Sequence, residues 1–169
     1  TTLIIIAAGF AIYFTVKPYT EIQKAAKQDF FAPDSNRVES RIEDMKSAVR
    51  DDSDYLFKTG VLYAKNKDFR KAKEYFIKTV KKDSGHAGAL NNLGNLALME
   101  GYPGSVGRSR GLFLKALRTE PDNAEYLVSL AYSYFMLNEM KLAMELVEKA
   151  LIIEPFNSRA LLLRRQMLQ

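Results

Sequence analysis

A 34-residue period constrains this chain more than any other feature. Leu56, Gly60 and Tyr63 recur as Leu90, Gly94 and Ala97, then as Leu127, Ala131 and Tyr134. Phe76 and Thr79 recur as Phe113 and Ala116, then as Val147 and Ala150, and Pro121 and Pro155 stand 34 residues apart. The first set is spaced by 34 and then 37 residues, the second by 37 and then 34, so three extra residues lie between Gly94 and Phe113. A period of this length marks a supersecondary unit that cannot bury its apolar face alone and gains stability by stacking on its neighbours. Small residues (Gly60, Gly94 and Ala131; Ala72, Ala116, Ala143 and Ala150) alternate with large ones (Phe76, Phe113, Leu127 and Leu130), as close helix packing requires. Pro121 and Pro155 stop a helix, and Asp122–Asn123 and Phe156–Asn157–Ser158 after them supply turn and N-cap chemistry for the next. The expected fold is all-α, a stack of helix-turn-helix pairs over residues 53–86, 87–123 and 124–157.

Position by position the repeat resembles the tetratricopeptide-repeat family, whose pattern is aromatic-x2-Leu-Gly-x2-Tyr, then Ala-x3-Phe, then Pro. The first unit supplies Leu56, Gly60, Tyr63, Ala72 and Phe76, the second Leu90, Leu93, Gly94, Phe113, Ala116 and Pro121, the third Leu127, Leu130, Ala131, Tyr134, Ala143, Ala150 and Pro155. No unit has tryptophan at the aromatic position, and the first lacks the closing proline. The ends continue the register. Leu161 opens a fourth unit, so residues 158–169 are expected to form a capping helix. Upstream, Val38, Ile42 and Met45 match Ala72, Phe76 and Thr79, while Ile22 and Ala26 match Leu56 and Gly60, which makes part of residues 18–52 a candidate divergent repeat.

The resemblance implies a concave groove lined by the first helix of each pair at its fifth, ninth and twelfth positions. Here these are Phe57, Val61 and Ala64, then Asn91, Asn95 and Leu98, then Val128, Tyr132 and Phe135. Asparagine amides can both donate to and accept from an extended backbone, and aromatic side chains supply area for anchors. Members of the family that capture acidic C-terminal tails of heat-shock proteins hold basic residues where this chain has Phe57, Val128 and Tyr132. The expected occupant is therefore an apolar or helical protein segment. The alternative, that some of these side chains pack against the chain's own upstream helices, stays open.

The extra residues fall in the run GYPGSVGRSRG, residues 101–111. It lacks the GK[ST] ending and the preceding strand of a phosphate loop. The expectation is an enlarged turn within the second unit, with Tyr102, Arg108 and Arg110 forming a projecting secondary contact. His86, in the turn SGHAG, is expected to face solvent.

Residues 1–16 (TTLIIIAAGFAIYFTV) carry no charge. As a helix they would reach roughly 24 Å, slightly less than a hydrocarbon core, with Tyr13 placed for the interface. A membrane anchor over residues 1–17 is the expected reading. A secretory signal core is disfavoured by KPYTEIQ, which offers no small-x-small cleavage site, and a buried core helix finds no equally apolar partner later in the chain. Lys17, Lys24 and Lys27 favour a cytoplasmic downstream side, whereas a basic segment upstream of Thr1 would reverse it. The localisation carried forward is a single-pass protein of a bacterial inner membrane with the repeats on the periplasmic or lumenal side, orientation unresolved.

Composition narrows function by exclusion. With no cysteine among 169 residues there is no disulfide, thiolate zinc site, iron–sulfur ligation or cysteine nucleophile, and the single histidine cannot form a histidine metal cluster. No acid–base or nucleophile–base constellation stands at a meaningful spacing, so neither enzyme activity, metal nor cofactor is expected. The net charge of +5 comes mainly from residues 53–86, which hold nine lysines and arginines against four acids. No basic-aromatic motif accompanies them, and nucleic acid is not an expected partner. Small anchored repeat proteins of this layout resemble accessory factors for pili, secretion systems, respiratory complexes and cytochrome maturation in bacteria, and organelle import receptors elsewhere. The function expected is a membrane-anchored adaptor or assembly factor for a membrane-associated complex, or else a permanent structural subunit of one.

Overall fold

The computed structural model describes Glu39, Ile42 and residues 52–101 and 104–169. The expected membrane span, residues 1–17, and all but three residues of the juxtamembrane stretch lie outside them. Among the described residues no helix is long and apolar enough to cross a membrane. They form seven α-helices and no strand: α1 (Ser53–Lys65), α2 (Phe69–Lys82), α3 (Ala87–Glu100), α4 (Ser105–Thr119), α5 (Ala124–Met136), α6 (Met140–Ile153) and α7 (Ser158–Met167). Turns of three or four residues fold α1 on α2, α3 on α4 and α5 on α6. Each pair then packs on the next, and α7 closes the series against α5 and α6.

The period is visible at the level of single hydrogen bonds. N-caps recur at Asp52, His86, Asn123 and Asn157, each accepting a backbone N–H two or three residues on, which satisfies donors a helix start would otherwise leave orphaned. His86 is therefore not a solvent-facing turn residue. Its Nδ1 accepts from the Ala89 N–H at 3.2 Å, and its ring lies 4.6 Å from that of Phe57. In the turns within pairs, Lys67, Gly101 and Asn138 share a left-handed backbone, at φ 61°, 68° and 61°.

Those left-handed residues also locate the insertion. Lys67 to Gly101 is 34 residues and Gly101 to Asn138 is 37, so the extra three are residues 102–104. The segment from Ser105 onward is helix. The expected projecting turn over residues 101–111 is corrected accordingly. Tyr102 lies outside the described residues, while Arg108 and Arg110 stand on α4. Buried Ser105, Ser109 and Phe113 hold this helix against its neighbours, and their burial overrides the poor helix propensity of Gly107 and Gly111. Both glycines are exposed, and a Cβ added at either meets nothing within 4 Å. Gly107→Ala and Gly111→Ala are each expected to stabilise the protein by about 0.5–1 kcal/mol, read as a higher urea midpoint. A lower midpoint for either would contradict the open space around it.

Within each pair one contact sets the separation of the two helices. Gly60 faces Phe76, Gly94 faces Phe113, and in the third pair Ala131 and Val147 share one buried cluster. All three large partners, Phe76, Phe113 and Val147, are at 0% exposure, as is Ala131. A Cβ on Gly60 would lie 2.7 Å from the Phe76 ring, and one on Gly94 2.4 Å from the Phe113 ring. Thr59 and Thr79, both fully buried, satisfy their hydroxyls by donating to the carbonyls of Tyr55 and Tyr75 at 2.9 Å.

Ile42 and Glu39 are both helical and pack on the first pair. Ile42, in the register of Phe76, is buried in a cluster with Tyr63, Ala72 and Phe76. The Tyr63 hydroxyl donates to Glu39 Oε1 at 3.1 Å, and Lys71 Nζ reaches the same oxygen at 3.1 Å. Burial, then the Glu39 carboxylate, push the Tyr63 phenol above its usual pKa, so it stays protonated and donating.

Candidate functional site

The nine groove positions do not share one environment. At the fifth position of the first helices the side chains turn inward. Val128 is 2% exposed and belongs to the core that joins α5 to α6 and α7; Asn91 is 8% exposed. Phe57 is half-buried as a wedge between pairs. Its ring stands 5.9 Å from that of Phe76, and a Cβ on Gly88 of α3 would fall 2.8 Å from its Cζ. Val128 is thus core rather than lining, Phe57 joins one repeat to the next, and Asn91 is buried. The reason is geometric. Successive first helices also touch one another, α3 on α5 and α5 on α7, and the fifth position falls on that seam.

The ninth and twelfth positions differ. Val61, Ala64, Asn95, Leu98, Tyr132 and Phe135 are all half-exposed. Val61 and Ala64 lean on the cluster around Ile42 and Tyr63. Tyr132 and Phe135 sit with ring centroids 6.3 Å apart against the core of the third pair, giving a tilted, half-exposed aromatic pair. Asn95 lies between these apolar ends, one helical turn beyond Asn91. The Asn91 Oδ1 is buried without a hydrogen-bond partner among the described residues, and an acceptor left so costs roughly 1–3 kcal/mol.

Arg108 and Arg110 act as ties within the stack. Arg108 pairs with Glu100 at 3.5 Å. Arg110 pairs with Glu139 at 3.2 Å and lies 5.5 Å over the Tyr134 ring, so it links α4 to the third pair. Lys73, in the register of Arg110, makes the corresponding link from α2 to Glu100. The sequence signal for this role was the shared register of two cations, each followed in the next unit by a glutamate. Among the described residues no group of three His, Cys, Asp or Glu could hold a metal ion.

A family model described as tetratricopeptide repeat matches residues 48–103 and 104–158. No curated protein matches the sequence. Among solved structures, the Arabidopsis OM64 TPR domain superposes with a TM-score of 0.61 at 19% identity, over 68% of this chain and 93% of its own. The first TPR of Spaghetti (RPAP3), bound to the HSP90 peptide SRMEEVD, superposes at 0.63 and 17% identity, over 69% and 90%. YrrB, a TPR protein with an unusual peptide-binding site, does so at 0.61 and 19% identity, over 70% of this chain and 60% of its own. At these identities the likeness establishes the fold.

Proposed function

Because the chain belongs to the tetratricopeptide-repeat family, and members of that fold have been seen holding peptides, we propose that it is a membrane-anchored protein-interaction module that recruits a client to a membrane-associated complex. The carrying observation is the tilted Tyr132 and Phe135 pair beside half-exposed Asn95 and Leu98 on successive first helices. Two aromatic faces supply an apolar anchor site, and the Asn95 amide can meet a backbone donor or acceptor. The groove positions carry no lysine or arginine, which suits an apolar or helical segment better than an acidic tail. The anchor is assigned to residues 1–17, from their uncharged apolar run, and the localisation to a bacterial inner membrane. No catalytic step is assigned.

The test is affinity capture of the full chain from native membranes in mild detergent, with quantified mass spectrometry. Tyr132→Ala combined with Asn95→Ala is expected to reduce capture of the principal partner about tenfold or more, as loss of a hot-spot residue does, while the thermal midpoint stays put. Undiminished capture by a folded double variant would place binding elsewhere. Partners recovered at a fixed ratio would make the chain a permanent subunit rather than an adaptor. Recovery without membrane would remove the anchor.

A further inference from the structure

A second site lies on the other side of α3. Leu96 and Glu100, one helical turn apart, point away from Asn91, Asn95 and Leu98 at 3.6 residues per turn. With Met99 they meet the first turns of α2, Phe69, Arg70 and Lys73, around a cavity of about 400 Å³. That volume is in the range that holds a side chain and its flanks. Its floor is apolar: Leu96 is buried, while Phe69 and Met99 keep 37% and 38% of their surface exposed. Its rim is basic. Glu100 is met by Lys73 and by Arg108, and Arg70 is exposed and pairs with no carboxylate among the described residues.

Comparison between repeats separates what the stack requires from what it does not. Lys73 has a counterpart in Arg110, and both tie one pair to the next. Arg70 and Phe69 correspond to Gly107 and Val106, and Glu100 corresponds to Leu137. The second unit therefore does without both the aromatic side chain and the spare cation, whereas the third carries Met140 and exposed Lys141 at the same positions, so only the aromatic ring is peculiar to this junction. Cations from two helices, Arg70 and Lys73 on α2 and Arg108 on α4, outnumber the single acid. That spread of charge suits several carboxylates rather than one.

We infer that this junction is a docking site for a protein segment that carries a large apolar side chain flanked by acidic residues. The apolar side chain enters between Phe69, Leu96 and Met99, and the flanking carboxylates meet Arg70 and the outer edges of Lys73 and Arg108. It selects for acidic flanks whereas the groove positions carry no charge, so the protein holds two segments of different chemistry.

The probe is a fluorescein-labelled decapeptide of glutamate and serine with one central phenylalanine, titrated into the full chain at low ionic strength and read by anisotropy. Saturable binding is expected, weakened about tenfold or more by Arg70→Glu, by Met99→Lys and by replacing the probe's phenylalanine with serine. Thermal midpoints should not move, because both substituted residues are exposed. The Tyr132→Ala and Asn95→Ala double variant should bind the probe normally, which keeps this site separable from the groove. The proposal is overturned by absence of saturable binding, by indifference to Arg70→Glu, by loss of binding in the groove variant, or by decanoate displacing the probe as well as an unlabelled copy does. That last result would make the cavity a fatty-acid site.

Discussion

Phe113→Ala should remove about 3–5 kcal/mol of stability, the range for emptying a fully buried phenylalanine site. The ring has no exposure, and it sets the distance between α3 and α4 through its close approach to Gly94. Collapse is resisted because α3 also packs on α2 and α5, and α4 on α5. A domain of this size holds only about 5–15 kcal/mol in all, so the central pair should melt well before its neighbours lose their own contacts. Urea denaturation followed by circular dichroism, together with amide exchange on α3 and α4, reads this directly. A loss below about 1 kcal/mol would mean that the ring does not carry the separation of the pair.

Gly94→Ala should be destabilising by about 2 kcal/mol even though alanine is the better helix former. The helix gains at most about 1 kcal/mol, whereas a methyl group placed 2.4 Å from the Phe113 Cε1 has to displace a ring with nowhere to go, at about 1–3 kcal/mol or more. The sign reverses once the ring is gone. In a Phe113→Val background the same Gly94→Ala change should be neutral or stabilising, because it recreates the Ala131 and Val147 arrangement of the third pair. A double-mutant cycle should return a favourable coupling of about 1–3 kcal/mol. Simple additivity of the two changes would sink the argument.

How much of this was legible beforehand depended on whether a residue's role is set by the repeat or by its neighbours in space. Gly60, Gly94 and Phe113 were readable because each repeats at a fixed interval, and period alone implies a shared contact. The insertion was placed in the right run, but the extent of the turn was misjudged because the glycines of residues 101–111 were taken as turn signals. In α4, burial of Ser109 and Phe113 outweighs two exposed glycines, and tertiary contact of that kind leaves no local trace. The left-handed residues 67, 101 and 138 are Lys, Gly and Asn, so a shared backbone conformation was hidden by three different side chains. Val128 was misassigned for a related reason. A valine on the first helix reads alike whether it faces a groove or the seam with α7, and only the packing of α5 on α7 decides. His86 escaped notice because histidine is an unusual cap, although its place 34 residues after Asp52 was a usable signal.

The matched sizes across each helix pair also bear on how such a chain can be rearranged by recombination. A crossover in the turns between pairs, at residues 83–86 or 120–123, keeps every small residue with its own large partner. A crossover inside a pair, at residues 66–68 or 137–139, mixes sets. Joining α1 to α6 would place Gly60 opposite Val147 and leave a hole, while joining α5 to α2 would drive the Ala131 methyl into the Phe76 ring. The inheritable unit is therefore the hairpin, and a family built this way can lengthen, shorten and reorder its arrays freely while each hairpin drifts in size only by paired change.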